Sequence, residues 1–331
     1  MSDTEYRSIK AVGHLDVLDG WRGLSIVSVL AAHLLPLGPK AWHLNVSAGV
    51  FGMVVFFILS GFLITSFLLK KITIPDFLIR RFFRIIPLAW LYLALVLAIA
   101  KVPVDGWVAH FLFYANWPPK HLITLTDHMW SLCVEVEFYL GVAVLVAVFG
   151  RRGLVVLPIL SLLFTALRVS DEIYVSSITY YRIDEILAGC TLALIYHGEL
   201  GTSVIRSLRM MPQTPLFLLL GLACLQQTEW LNYFRPYVAA ALIGATILNP
   251  GTRFAALLNN RLLVYLAAIS YALYVIHPLL VGSWLGSGDT LEKYIKRPLL
   301  FAVLFVLAHL STYHYEHRWI ALGKKLGERF R

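Results

Sequence analysis

The sequence predicts an all-α integral membrane protein, folded as a bundle of about ten transmembrane helices. Of the 331 residues, 59% are hydrophobic and only 14% are charged, whereas a soluble domain has roughly 25% charged residues. The apolar segments approach the ~20 residues that a helix needs to cross a bilayer, and they lack the alternation of a transmembrane β-barrel. The predicted spans are residues 20–37, 48–69, 82–100, 130–149, 153–169, 183–197, 214–228, 233–249, 261–284 and 298–317.

A single domain over residues 1–331 is predicted, with a membrane core of about 15–317 and a short tail at each end, because no internal repeat or polar domain interrupts the spans. The first fourteen residues are polar and lack the apolar segment of a cleavable signal peptide. Ten spans place both termini on the same side. Nineteen of the 28 Lys and Arg residues fall on that side, which the positive-inside rule therefore makes cytoplasmic.

Composition also argues against several functions. The formal net charge of +9 is explained mostly by topology, and no segment outside the spans combines a basic surface with stacking aromatics, so nucleic-acid binding is not expected. The cysteines Cys133, Cys190 and Cys224 lie in apolar spans without a pairing pattern or a CxxC motif. Neither a disulfide framework nor a metal site is therefore predicted.

The first span carries two ionisable residues, Arg22 and His33. Eleven residues of helix return to within ~20° of the same face, about 16 Å further along the axis. An anion-binding group and a base on one stripe suit a long, phosphate-bearing donor. The same pair is also compatible with an arginine that reaches the lipid headgroups and a hydrogen-bonded core histidine.

The third span begins with a cluster of arginines, Arg80, Arg81 and Arg84. Arg80 and Arg84 share a helix face, and Arg81 points about 100° away. Guanidinium groups bind phosphate oxygens in a bidentate manner, so the cluster could hold a phosphorylated donor. Arginines at a cytoplasmic helix end are also what topology alone requires.

The span at 130–149 carries acids that are costly in a membrane. Ser131 and Glu135 share one helix face, and Glu137 lies on roughly the opposite side. An intramembrane carboxylate costs at least ~2.5 kcal/mol on insertion scales and usually indicates function. Glu135 is predicted to orient an imidazole, accept a proton or hold a substrate hydroxyl. The structural alternative is an acid paired with a basic residue elsewhere in the bundle.

Further polar residues occur in later spans, among them Asp184, Tyr274 and His277. They combine acids, bases and phenols in a place with little water, and His277 could line an acceptor site. Structural hydrogen bonds are the favoured explanation for each of these residues.

Seven short motifs follow one another along the chain. They are Leu18-Asp19-Gly20-Trp21-Arg22-Gly23 leading to His33, Phe56-Phe57-Ile58-Leu59-Ser60-Gly61, Arg81 and Arg84 before Ile85-Ile86-Pro87, Trp130-Ser131-Leu132 through Glu135, Arg182-Ile183-Asp184-Glu185, Ser270-Tyr271 through His277-Pro278, and Tyr315-Glu316. Together they resemble the acyltransferase-3 family of integral membrane O-acyltransferases, which are acetyl-CoA-dependent carbohydrate acetylases. The resemblance covers residues 15–317. Two positions depart from the family pattern: Val54 stands where many relatives have an acid, and Val136 separates Glu135 from Glu137.

The resemblance implies transfer of an acyl group, most often acetyl, from cytoplasmic acetyl-CoA to a hydroxyl of a cell-surface or secreted carbohydrate or of its lipid-linked precursor. It also implies a bacterial inner-membrane location and, as partners, the machinery of polysaccharide synthesis or export. The implied site residues are Arg22, Arg81 and Arg84 for the donor phosphates, His33, Glu135 and Ser131 for catalysis, and Glu137, Asp184, Tyr274 and His277 for the acceptor. His33 would act as general base or be transiently acylated.

Two alternatives remain open at this point. A small non-glycan acceptor such as a macrolide could replace the carbohydrate. A proton-coupled exporter of sugar or lipid could use His33 and Glu135 as a relay, although no inverted repeat of the kind found in such transporters is visible.

Overall fold

The computed structural model describes residues 16–70 and 73–330, and no β-strand occurs within these ranges. Its helices are α1 Asp16–Leu34, α2 Leu44–Leu69, α3 Ile74–Ile99, α4 Val104–Phe111, α5 Trp130–Phe149, α6 Leu157–Ser170, α7 Ile183–Tyr196, α8 Thr202–Met210, α9 Gln213–Ala223, α10 Arg235–Leu248, α11 Arg253–Leu258, α12 Arg261–Val281, α13 Thr290–Leu310 and α14 His317–Gly327. Short 3₁₀ segments are Lys40–Trp42, Asp127–Met129, Gly150–Val156, Thr179–Tyr181, Gln226–Phe234, Trp284–Gly286 and Glu328–Phe330, and a π-helical turn at Ser311–Glu316 joins α13 to α14.

The all-α prediction is confirmed for the described residues, and every predicted span coincides with a helix. The agreement is complete for α5, predicted at 130–149 and found at Trp130–Phe149. The largest offsets occur at α3, which begins at Ile74 rather than at residue 82, and at α13, which begins at Thr290 rather than at residue 298. There the side chain of Asp289 caps the helix by accepting from the Glu292 amide, so a polar first turn extends the helix beyond its apolar part.

Five helical segments of the described chain are long and apolar enough to cross a membrane. The 19-residue α1 is not among them, because Asp19, Arg22 and His33 make it less apolar. The number of spans, about ten, therefore stays a prediction. The five segments are Lys40–Leu69, Ile74–Ile99, Asp127–Ser170, Arg261–Val281 and Thr290–Phe330.

The structure describes one of the two predicted tails, the C-terminal one. The N-terminal tail lies outside the described residues. The C-terminal segment is helix α14, whose Gly323 lies against the ring of Phe83 on α3, while Trp319 stacks on the same ring with centroids 5.9 Å apart. The chain after residue 317 is thus helical and packs on α3, while its cytoplasmic location stays a prediction.

The chain divides into two compact units, although the prediction of a single domain over 1–331 is not tested by this division. Unit 1 comprises Met1–Ser66, Val155–Val175 and Asp184–Ala268. Unit 2 comprises Phe67–Leu154, Ser176–Ile183 and Ile269–Arg331.

Unit 1 is organised around a large apolar core. Buried side chains of α1, α2, α7, α10 and α11 form one cluster, with Trp21 and Ile58 fully buried in it. Two glycines explain how α2 and α7 approach so closely. A Cβ at Gly61 would lie 2.0 Å from the Ile186 carbonyl oxygen, and a Cβ at Gly189 would lie 2.2 Å from that of Ile58. Small residues at such crossings allow membrane helices to pack backbone to backbone.

Unit 2 is built on α3 and the helices packed against it. The side chain of Thr73 caps α3 by accepting from the Asp76 amide, and a proline follows in the first turn, so the helix begins at Ile74, before the apolar run predicted from residue 82. Helices α5 and α14 both contact α3. Because α3 carries the arginines and α5 the acids, unit 2 holds most of the predicted site residues.

Candidate active site

One face of α5 carries a line of buried polar groups. Ser131, Glu135 and Tyr139 follow at intervals of four residues and therefore share this face. Ser131 is fully buried and Glu135 is 5% exposed. The Tyr139 hydroxyl donates a hydrogen bond to Glu135 Oε1. The spacing thus places a buried acid between two hydroxyl groups of the same helix.

The arginines of α3 lie in three different environments. Arg80 forms an ion pair with the buried Asp76 one turn earlier on α3, so it stabilises this helix. The Arg81 guanidinium is half-buried and lies over the Tyr139 ring, 5.7 Å from its centroid. Arg84 is exposed and can turn toward a charged ligand at the surface. Arg81 is thereby tied, through Tyr139, to Glu135.

Ser131 connects α5 to α12. The Ser131 and Tyr274 hydroxyls are 2.6 Å apart, and the Tyr274 hydroxyl also contacts the carbonyl of His128. The buried His128 ring packs against Tyr274 and His277, with centroids 5.3 Å and 5.4 Å away. His277 Nδ1 is 2.7 Å from the Tyr274 carbonyl oxygen, which fixes the hydrogen on Nδ1 because a carbonyl only accepts. The structure therefore brings three predicted residues, Ser131, Tyr274 and His277, into one cluster.

Glu137 lies on a different face of α5 from Ser131 and Glu135, as its position in the helix predicts. Its Oε1 accepts from the indole Nε1 of Trp117 at 2.8 Å, and its side chain is half-buried. Trp117 in turn packs edge-on against Tyr180, with centroids 5.4 Å apart. Glu137 is thus held by an indole of the segment before α5, which in turn packs on the segment before α7.

The remaining predicted residues, Arg22, His33 and Asp184, belong to unit 1. Arg22 pairs with Asp19 at 2.9 Å one turn earlier on α1. His33 is exposed in the last turn of α1, and its Nδ1 is 2.9 Å from the Val29 carbonyl oxygen. In the neutral ring this bond places the hydrogen on Nδ1 and leaves the lone pair on Nε2.

Asp184 is fully buried and lies in an ion pair with Arg168 at 2.5 Å. Its neighbour Glu185 pairs with the fully buried Arg235 at 3.0 Å. Both arginines also donate to the Tyr174 carbonyl, at 3.0 Å and 3.4 Å. This network links α6, α7 and α10 and favours a structural contribution from Asp184.

Sequence reasoning missed His128, Arg168 and Arg235. His128 stands two residues before Trp130, just outside a predicted span, so the hydropathy pattern does not indicate its burial. Arg168 and Arg235 lie at the ends of predicted spans, where an arginine ordinarily reaches the headgroups. The adjacent acids Asp184-Glu185 in an apolar span are the one signal for these basic partners, since two neighbouring buried carboxylates require compensation.

The fold and these clusters define a helical membrane protein with several groups of buried polar side chains. The chain belongs to the acyltransferase-3 family, since the model of this family, described as an acyltransferase domain, matches residues 15–313. It is therefore a membrane acyltransferase by family.

Several Staphylococcus aureus proteins are similar to the chain. The O-acetyltransferase OatA of strain NCTC 8325 / PS 47 is 26% identical over 89% of this chain and 56% of its own length, and OatA of strain COL gives the same values. A protein of strain COL named SACOL0978, provisionally described as an O-acetyltransferase, is 23% identical over 83% of this chain and 51% of its own length. The chain thus spans about half the length of these relatives. No solved structure matches it.

Proposed function

We propose that the protein transfers an acyl group, with acetyl as the favoured group, from cytoplasmic acyl-CoA. The acceptor is a hydroxyl of a cell-surface or secreted carbohydrate or of its lipid-linked precursor. The observation that carries this proposal is the family match over residues 15–313. The names of the relatives, O-acetyltransferase OatA among them, support acetyl as the group and oxygen as the acceptor atom. Polysaccharide synthesis or export machinery would supply the acceptor.

The proposed setting is a bacterial inner membrane, with one domain, about ten spans and both termini in the cytoplasm. The helical run Asp127–Ser170 is 44 residues long, about twice the ~20 residues of one span. It is interrupted at Gly150, whose φ is +62°. Length thus leaves room for the two spans predicted at 130–149 and 153–169.

His33 is proposed as the base. The hydrogen bond of Nδ1 to the Val29 carbonyl directs the lone pair to Nε2. Nε2 takes the proton from the acceptor hydroxyl, whose oxygen attacks the thioester carbonyl. The C–S bond then breaks, and the CoA thiolate leaves and receives the proton. In the second route, Nε2 itself attacks the thioester carbonyl, the C–S bond breaks and the CoA thiolate leaves. The acceptor hydroxyl then attacks the acyl-imidazole, the C–N bond breaks, and the hydroxyl proton passes by way of the freed imidazole to the thiolate.

Glu135 and Ser131 are proposed to assist this transfer. Glu135 is buried and bonded to the Tyr139 phenol, a partner that an acceptor hydroxyl or an imidazole could replace without leaving a charge uncompensated. Ser131 would position Tyr274 through the 2.6 Å contact between their hydroxyls. Glu137, His277 and Tyr274, with Asp184, are the proposed acceptor residues.

Arg22 and Arg84 are proposed to bind the donor phosphates. Arg84 is exposed on α3, where a mobile guanidinium can contact a phosphate in bidentate fashion. The sequence predicts the same task for Arg81, but its position over Tyr139 gives it a more enclosed environment than Arg84.

The test is acetyl-CoA binding and acetyl transfer by the purified full chain, compared for wild type, Arg84→Ala and His33→Ala. We expect the arginine variant to bind acetyl-CoA about tenfold more weakly, as loss of a charge-assisted hydrogen bond implies. The histidine variant should bind normally but transfer nothing. Transfer by His33→Ala would exclude the assigned base. Absence of acetyl-CoA binding by wild type would contradict the donor.

A further inference from the structure

Unit 2 contains a pocket between α3 and α5 that acyl transfer, as proposed above, does not require. Its volume is about 320 Å³, at the lower end of the range of about 300–1,000 Å³ found for small-molecule sites. Phe82, Ile86, Val136 and Leu140 give it an apolar lining, and Arg81 is the charged side chain among the described residues that line it. A single cation at the wall of an apolar pocket is the pattern of an amphiphile site.

The pocket is open toward the surface that faces lipid. Phe82 and Leu140 are 43% and 55% exposed, and they lie on α3 and α5, which belong to two of the segments that can cross a membrane. Large apolar side chains exposed along such segments meet the hydrocarbon chains of the bilayer. A ligand can therefore enter this pocket from the membrane.

The chemistry of the lining selects an alkyl chain. The amides of a pantetheine arm or the hydroxyls of a sugar would lose their hydrogen bonds to water against carbon surface, which is costly. An alkyl chain has no polar group to desolvate. In a lipid the phosphate adjoins the chains directly, whereas the acyl chain of acyl-CoA is separated from its phosphates by the whole pantetheine arm. Arg81 beside an apolar pocket therefore fits a lipid better than the donor.

We propose that this pocket binds an anionic membrane lipid, with its phosphate on Arg81 and part of one alkyl chain between Phe82, Val136 and Leu140. Basic pockets between transmembrane helices on the cytoplasmic side are known to hold anionic headgroups. Because Arg81 also lies over the ring of Tyr139, which bonds to Glu135, the lipid site adjoins the candidate acid. This inference goes beyond the proposed acyl transfer and does not depend on its donor.

The experiment is a comparison of lipid retention by the full chain purified in detergent. Phosphatidylglycerol and phosphatidylcholine of identical chains are titrated separately, and bound lipid is counted by native mass spectrometry. Wild type should retain one phosphatidylglycerol more tightly than phosphatidylcholine. Arg81→Gln should reduce that preference about fivefold, because one arginine contributes ~1 kcal/mol toward an anionic lipid. Arg318→Gln, an exposed arginine of α14 outside the pocket, is the matched control and should change nothing.

A second pair of variants tests the alkyl-chain part. Val136→Phe fills the pocket and should weaken retention of both lipids, while Val144→Phe, on the same helix but 63% exposed and outside the lining, should not. If Val136→Phe does not fold, Leu140→Trp at the open edge replaces it. Equal retention of both lipids by wild type, or unchanged preference in Arg81→Gln, would overturn the proposal. Binding of palmitoyl-CoA that Val136→Phe abolishes, without selective binding of phosphatidylglycerol, would assign the pocket to the donor instead.

Discussion

The two units bury their acids in different ways. In unit 1, the carboxylates of Asp184 and Glu185 accept hydrogen bonds from Arg168 and Arg235, and all four side chains are at most 1% exposed. In unit 2, the Tyr139 phenol donates to Glu135. A guanidinium compensates the carboxylate charge, so the pairs of unit 1 hold helices together. A phenol hydroxyl can be exchanged for a substrate hydroxyl, so the arrangement in unit 2 suits proton transfer.

The largest effect is expected when a pair of unit 1 is broken. Arg168→Leu leaves Asp184 buried without its cation, which should lower the free energy of unfolding by about 3–5 kcal/mol. Reversible unfolding in detergent micelles measures this change. The double variant Arg168→Met, Asp184→Leu should recover most of the loss, because a well-packed apolar pair replaces a buried ion pair at little cost. A loss below about 1 kcal/mol, the size of a surface pair, would contradict the structural interpretation.

The matching change in unit 2 should affect rate rather than stability. Glu135→Gln keeps an oxygen that accepts from Tyr139 but removes the basic carboxylate, and kcat for acetyl transfer should fall about 100-fold, the lower range for loss of a general base. The free energy of unfolding should remain within about 1 kcal/mol of the wild-type value. Glu185→Gln is the control from unit 1 and should show the reverse pattern. Full turnover by Glu135→Gln would remove the contrast between the units.

A smaller effect is expected at the phenol. Tyr139→Phe retains the ring beneath Arg81 and deletes only the hydroxyl that donates to Glu135. Because one hydrogen bond contributes ~1 kcal/mol, kcat should fall roughly fivefold. Tyr315→Phe, which loses a hydroxyl bonded to the Pro87 carbonyl at 3.2 Å, should leave kcat unchanged. Similar losses in both variants would indicate a general packing effect.

The smallest effect concerns the pH dependence of stability that comes from His110, in the segment before His128. Burial lowers the pKa of His110, and the hydrogen bond to the Gly106 carbonyl opposes this only in part. The folded state thus favours the neutral imidazole, and its contribution to stability is lost as pH falls below the ordinary histidine pKa of ~6.5. Between about pH 7 and 5, the free energy of unfolding should therefore fall less steeply with falling pH for His110→Gln than for wild type. Equal slopes of this free energy against pH would show that other groups dominate the acid dependence.

The helices of this protein follow from local properties of the chain. Long apolar runs predict each helix that is expected to be a span. The family can also be recognised, because its motifs stand in order along one sequence. The spacing of Ser131 and Glu135 correctly places both on one face of α5. These inferences need only neighbours within a few residues, for which helical geometry is known in advance.

Partners distant in the chain could not be derived in this way. The contact of Ser131 with Tyr274 joins residues 143 positions apart, and that of Arg235 with Glu185 joins residues 50 apart. Likewise, the burial of His128 and the pocket beside Arg81 depend on which helices meet. The sequence by itself determined an apolar, helical membrane protein of a particular family, because hydrophobicity and helical periodicity act locally. Only the tertiary structure decided which buried acid meets a guanidinium and which a phenol, because burial can be stabilised by any compatible partner that packing brings within hydrogen-bonding distance.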